Sequence, residues 1–115
     1  MARKLHVAKV WQVEYKNPGM YGCDSQDAFY NILMMFGVEN SAEDIYTDDF
    51  EIERSKLQQL KRHIVGQDDT FRQHAEALHA ELEKIQMSAE EFIAVIDSLI
   101  YDSDQSDAYV HVSWF

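Results

Sequence analysis

The sequence predicts an α+β domain in which the two ends of the chain pair as a small antiparallel sheet against about four helices. Three observations predict it. The closing stretch Ala108–Phe115 alternates as a strand does, with Val110, Val112 and Trp114 on one side and Tyr109, His111, Ser113 and Phe115 on the other. Near the start, Leu5–Tyr15 offers a partner strand whose Leu5, Val7, Trp11, Val13 and Tyr15 share a face. Between the two, apolar residues recur mainly at helical spacing. Residues 1–115 read as one domain, of order β-α-(β)-α-α-α-β.

Each element has its own signal. Lys9 interrupts the apolar face of the first strand, as suits a strand end or an edge. Asn17-Pro18-Gly19 is turn chemistry, with proline fixing φ and glycine accepting a positive φ. The first helix is expected to start at Asp24 or Ser25, either of which can accept a hydrogen bond from a free N–H of the first turn. Phe29, Ile32, Leu33 and Phe36 form its apolar face, Met34 and Met35 widen it, and Gly37 is placed to end it in a left-handed cap. Residues 38–49 lack a clean period and read as an acidic connection with one helical turn after Ser41. Phe50–Glu53 alternates and is expected to be a third strand, which would steady a sheet that is marginal with two; the alternative is the first turn of the next helix, since Phe50, Leu57 and Ile64 repeat every seven.

Three further helices follow. Ser55 and Gln58 fit a capping box, Leu57, Leu60 and Ile64 form the buried face, and Gly66 closes the helix. A helix opening at Asp69 carries Phe71, Ala75, Leu78, Leu82 and Ile85 as a seam. Ser88-Ala-Glu-Glu91 is a full capping box flanked by a Met87–Phe92 hydrophobic staple, and Phe92, Val95, Ile96 and Leu99 make the buried face. The short link between the last two helices predicts an antiparallel hairpin. Asp102–Asp107 turns the chain into the final strand.

Charge is the outstanding bulk property. Ten basic residues against 21 acidic give −11. Residues 24–53 hold nine acidic residues and no basic ones, whereas residues 54–66 hold four basic ones. That balance argues against direct contact with nucleic acid or an anionic membrane, whose phosphates are met by Lys and Arg. There is no apolar run long enough to span a bilayer and no apolar centre of a signal peptide near the start. With a single cysteine, Cys23, an internal disulfide is excluded, and a cytoplasmic location is expected.

No nucleophile elbow, phosphate loop or paired catalytic carboxylates stand out, so neither catalysis nor a cofactor is expected. Asp102, Asp104 and Asp107 are the candidate metal ligands, but the sixth and twelfth positions of an EF-hand-type loop are Asp107 and Ser113 instead of Gly and Glu, which favours a polar turn. His74 and His79 are five apart and do not share a helix face. His6 and His111 are expected as solvent-facing imidazoles on paired strands. Cys23 precedes the first helix but is flanked by Asp24 and Asp27, which oppose a thiolate.

The functional expectation is a small interaction domain that binds a protein partner, with a basic one favoured by the charge. Its contact residues would be Asp44, Tyr46, Asp48, Asp49, Glu51 and Glu53, with Trp114 and Phe115 as a second candidate surface. An acidic inhibitor that mimics nucleic acid toward a basic protein, in a mobile-element or defence setting, is the alternative. A metal protein or an enzyme with a site assembled by the fold is a third. An edge of Val, Trp and Phe at the C-terminal strand would also allow pairing with a second copy.

Overall fold

The computed structural model describes residues 3–10 and 14–115. Their element order is β1 (Leu5–Val10), β2 (Glu14–Lys16), α1 (Cys23–Met35), β3 (Asp49–Glu53), α2 (Arg54–Gly66), α3 (Asp69–Lys84), α4 (Ala89–Tyr101) and β4 (Tyr109–Trp114). The strands form one antiparallel sheet in the order β2-β1-β4-β3. The terminal strands pair as expected, with Leu5 opposite Trp114, His6 opposite Ser113 and Val7 opposite Val112. Lys4 and Phe115 extend the ladder by exchanging two backbone hydrogen bonds of 2.9 Å.

The expected 50–53 strand is present as β3, and it pairs with β4 along its whole length, from Asp49–Ser113 to Glu53–Tyr109. β4 therefore lies between β1 and β3 and is not an edge, so its Val and Trp residues cannot pair with a second copy. β3 is the outer strand, and its free side is partly closed. Ser41 N–H donates to Glu51 O at 2.9 Å, and Glu53 N–H donates to Glu39 O at 3.2 Å. Segment 38–48 is thus tethered to the sheet and does not form the expected helical turn. Its turn, at 44–47, is closed by one backbone bond, Thr47 N–H to Asp44 O at 3.2 Å, and by side chains: Asp44 Oδ1 accepts from Tyr46 N–H at 2.8 Å and Thr47 Oγ1 from Glu43 N–H at 3.1 Å.

The expected single strand Leu5–Tyr15 is two strands. β1 turns back on itself as β2, with Tyr15 opposite Ala8. Tyr15 therefore shares a face with His6 instead of Leu5 and Val7, because a reversal of direction breaks the alternation on which the single-strand reading rests. Trp11 and Val13, assigned to that same face, lie outside the described residues.

The helices cover the inner face of the sheet. Leu5, Val7, Val110, Val112 and Trp114 meet Phe29, Ile32 and Leu33 of α1, Leu57 and Leu60 of α2, Leu78 of α3 and Phe92 and Ile96 of α4 in one cluster. Burying each large apolar side chain contributes about 1.5–3 kcal/mol. α1 ends in a Schellman motif: Val38 N–H donates to Leu33 O at 2.8 Å and Gly37 N–H to Met34 O at 3.2 Å. Gly37 takes φ 66°, which an L side chain rarely adopts. α3 packs chiefly on α1, and α4 on α2.

Several expected helix ends differ. α1 begins at Cys23 behind Gly22 without a side-chain cap, leaving Asp24 in the first turn, where its charge still complements the helix dipole. Met34 faces solvent and does not widen the apolar stripe. α2 starts at Arg54, directly on the end of β3, and Ser55 Oγ donates to Glu53 Oε1, so no capping box forms. The left-handed residue that closes α2 is Gln67, one beyond Gly66. At α4 the box is complete, with Glu91 N–H donating to Ser88 Oγ and Ser88 N–H to Glu91 Oε1.

Candidate partner-binding surface

The alternation of β3 and β4 sends Phe50, Ile52, Val110 and Val112 into the core. Asp49, Glu51, Glu53, Tyr109, His111 and Ser113 consequently lie on the opposite, outer face. His111 and Ser113 are nonetheless buried. His111 Nε2 lies 2.8 Å from Asp107 Oδ2, and Nδ1 lies 3.3 Å from Glu51 Oε1. The expectation of a solvent-facing His111 is thus wrong: the ring is buried, with Asp107 of the loop before β4 and Glu51 of the neighbouring strand against its two nitrogens. His6 is half-buried, stacked on Phe115 with ring centroids 3.7 Å apart and Tyr15 at its edge.

The aspartate loop is organised by a side chain remote in sequence. The Arg54 guanidinium enters the loop and donates to Ser103 Oγ at 2.8 Å, Asp104 O at 2.7 Å, Asp107 O at 3.1 Å and Ile100 O. The carboxylates face other partners. Asp102 pairs with Lys16 at 2.6 Å and accepts from Ser98 Oγ. Asp104 accepts from Ser106. Asp107 accepts from Tyr109 N–H and faces His111. These hydrogen bonds hold all three carboxyls below the usual carboxylate range, with Lys16 the main cause at Asp102, the Ser106 side chain at Asp104 and the Tyr109 amide at Asp107. The three candidate metal ligands do not converge, and among the described residues no group of His, Cys, Asp or Glu is arranged to hold a metal ion.

The other sequence candidates separate in space. His74 lies at the edge of Phe36 and His79 at the edge of Phe71. Cys23 is exposed. Trp114 is 2% exposed and packs edge-on against Phe29 in the core, so it offers no contact surface, whereas Phe115 is 60% exposed. No helix among the described residues is long and apolar enough to cross a membrane.

The acidic segment is not uniform. Asp48 pairs with Arg3 and accepts from Gln26 at 3.1 Å, and the Arg3 hydrogen bond holds its carboxyl below the usual range. Asp49 accepts from Ser113 Oγ, and Glu51 faces His111. Glu43, Asp44 and Tyr46 project from the turn, with Tyr46 78% exposed. Glu53 stands opposite Tyr109 on the outer face. A groove of about 230 Å³ opens there, lined by Glu39, Asn40, Ser41, Glu51, Glu53 and Tyr109. Glu39 and Tyr109 join the surface through the Glu39–Glu53 backbone hydrogen bond and the β3–β4 register, neither of which leaves a local trace in sequence.

Compared with known proteins, the chain matches no family model, and no curated protein or solved structure shows significant similarity to it.

Proposed function

We propose that this chain is a non-catalytic interaction domain that binds a basic protein partner through the acidic surface formed by β3 and residues 39–47. The observation that carries the reading is Tyr46. This large aromatic is 78% exposed on a turn beside Glu43 and Asp44, whose charges carry no cationic partner among the described ion pairs. Aromatic anchors supply contact area, and surrounding charge steers approach. A basic partner follows from the sign of the field, which at −11 repels other acidic surfaces. A cytoplasmic setting fits the single exposed thiol, Cys23, which a reducing compartment preserves.

The nucleic-acid mimic is the less favoured reading. It needs a row of free carboxylates, whereas Asp48, Asp49 and Glu51 are engaged by Arg3, Ser113 and His111. The test is affinity capture from native extract on the immobilised chain, at about 0.05 M and about 0.5 M salt. It is repeated with the Asp44→Asn, Tyr46→Ala variant. A partner retained at low salt, released at high salt and lost in the variant supports the reading. Capture indifferent to both salt and variant overturns it, as does the absence of any specific partner.

A further inference from the structure

Two shallow grooves meet at Glu39 and Asn40. The first is lined by Glu39, Glu51, Glu53 and the half-exposed Tyr109. The second, about 260 Å³, runs along Met34, Val38 and Ala42. We propose that the joined groove takes an extended segment of a basic protein partner. A lysine or arginine side chain would lie among the carboxylates and an aliphatic side chain against Met34. This rests on the interaction-domain reading above and gives it a location.

The charge is complementary. Three glutamates line one end: Glu39 has Lys56 Nζ at 3.9 Å, Glu51 has His111 Nδ1 at 3.3 Å, and Glu53, which accepts from Ser55 Oγ, is in none of the described ion pairs. Tyr109 adds a ring face that attracts a cation. At the other end Met34 is 54% exposed, while Val38 is buried beneath. A methionine side chain adapts its shape to an aliphatic visitor. The alternation of an extended peptide places residues i and i+2 on one side, so a basic residue two positions from a leucine would turn both side chains toward the groove. A peptide cannot instead add as a strand along the 51–53 stretch of β3, because Ser41 and Glu39 already hold those backbone groups. A second copy would bring the same carboxylates against these.

The probe is acetyl-Leu-Gly-Arg-amide, titrated into the ¹⁵N-labelled chain and followed by NMR. Its counterpart carries citrulline, which keeps the shape of arginine and removes the charge. The expected result is saturable shifts at the amides of Met34, Glu39, Ser41, Glu53 and Tyr109. Binding should be about tenfold weaker for the citrulline peptide, and similarly weaker for a Glu39→Gln, Glu53→Gln variant whose spectrum shows the fold intact. Equal binding of both peptides overturns the proposal. So do shifts centred elsewhere, such as on Asp24, Asp27 and Glu81, or no shifts. If the partner captured in the preceding experiment is lost with the Asp44→Asn, Tyr46→Ala variant but kept by Glu39→Gln, Glu53→Gln, the groove is overturned while the interaction-domain reading stands.

Discussion

Arg54 Nη1 donates to Ser103 Oγ at 2.8 Å, joining the first turn of α2 to the loop that enters β4. The same guanidinium also reaches backbone carbonyls of Ile100, Asp104 and Asp107. Removing it leaves the Asp107 carbonyl without its donor in a part-buried place, whereas Ile100 O keeps Gln105 Nε2 and Asp104 O keeps the Asp107 N–H. Arg54→Met is expected to destabilise the fold by about 2–4 kcal/mol, since charge-assisted hydrogen bonds contribute about 1.5–3 kcal/mol and their orphaned partners cost more. Arg54→Lys should recover only part, because an ammonium lacks the planar fork. Urea unfolding with an unchanged slope is the measurement; a loss below about 0.5 kcal/mol would show the arginine to be incidental.

Two serines test how far a local motif can be trusted. Ser88 makes its capping box, so Ser88→Ala should cost about 1 kcal/mol. Ser55 fits the same pattern with Gln58 but stands inside the first turn of α2 and binds Glu53. Ser55→Ala should therefore change stability by less than about 0.5 kcal/mol. Thermal melts of the two variants, compared side by side, decide it.

That contrast shows why parts of the fold were legible in sequence and others were not. Ser88 follows a loop, so its backbone is free to take the extended cap conformation. At Ser55 the chain runs from β3 straight into helix, and the position of the strand overrides the motif. The Val110–Val112–Trp114 alternation was readable because one face of β4 is wholly apolar. The β1–β2 reversal was not, since Leu5–Tyr15 alternates closely enough to pass for one strand. The acidic segment was visible as composition. Its division into engaged carboxylates (Asp48, Asp49) and exposed ones (Glu43, Asp44) depends on Arg3 and Ser113, which are tens of residues away. The hold of Arg54 on the 102–107 loop leaves no local sign for the same reason.

His6 is expected to make the fold more stable at neutral than at mildly acid pH. Burial lowers its pKa below the ordinary 6.5, and Lys4 adds to that effect, outweighing the hydrogen bond to the Lys4 carbonyl. The unfolded chain therefore takes up the proton first. The contribution of the neutral ring is complete above pH 6.5 and is lost as pH falls through the window between 6.5 and the folded value. Phe115→Ala uncovers the ring and should move its titration back toward 6.5. An NMR titration of the His6 ring in both proteins tests this. A midpoint that does not move between them would mean that Phe115 is not what buries the ring.

β4 carries the heaviest structural demand, because it pairs on both sides and delivers Trp114 to the core. Trp114 meets Phe29 with centroids 6.2 Å apart and is sealed at 2% exposure, so Trp114→Ala should cost about 3–5 kcal/mol. Phe115→Ala, at a 60% exposed position, should cost about 1 kcal/mol or less through loss of the ring stack on His6. Deleting residues 108–115 removes the strand that joins β1 to β3 and the groove residue Tyr109 with it, and should abolish the cooperative transition. β3 would then have no ladder to join, and Phe50 and Ile52 would lose the neighbours that hold them inward. A truncated chain that still melts cooperatively near the wild-type temperature would show that the helices fold without the sheet. The terminal pairing would then be an accessory to the domain and not its frame.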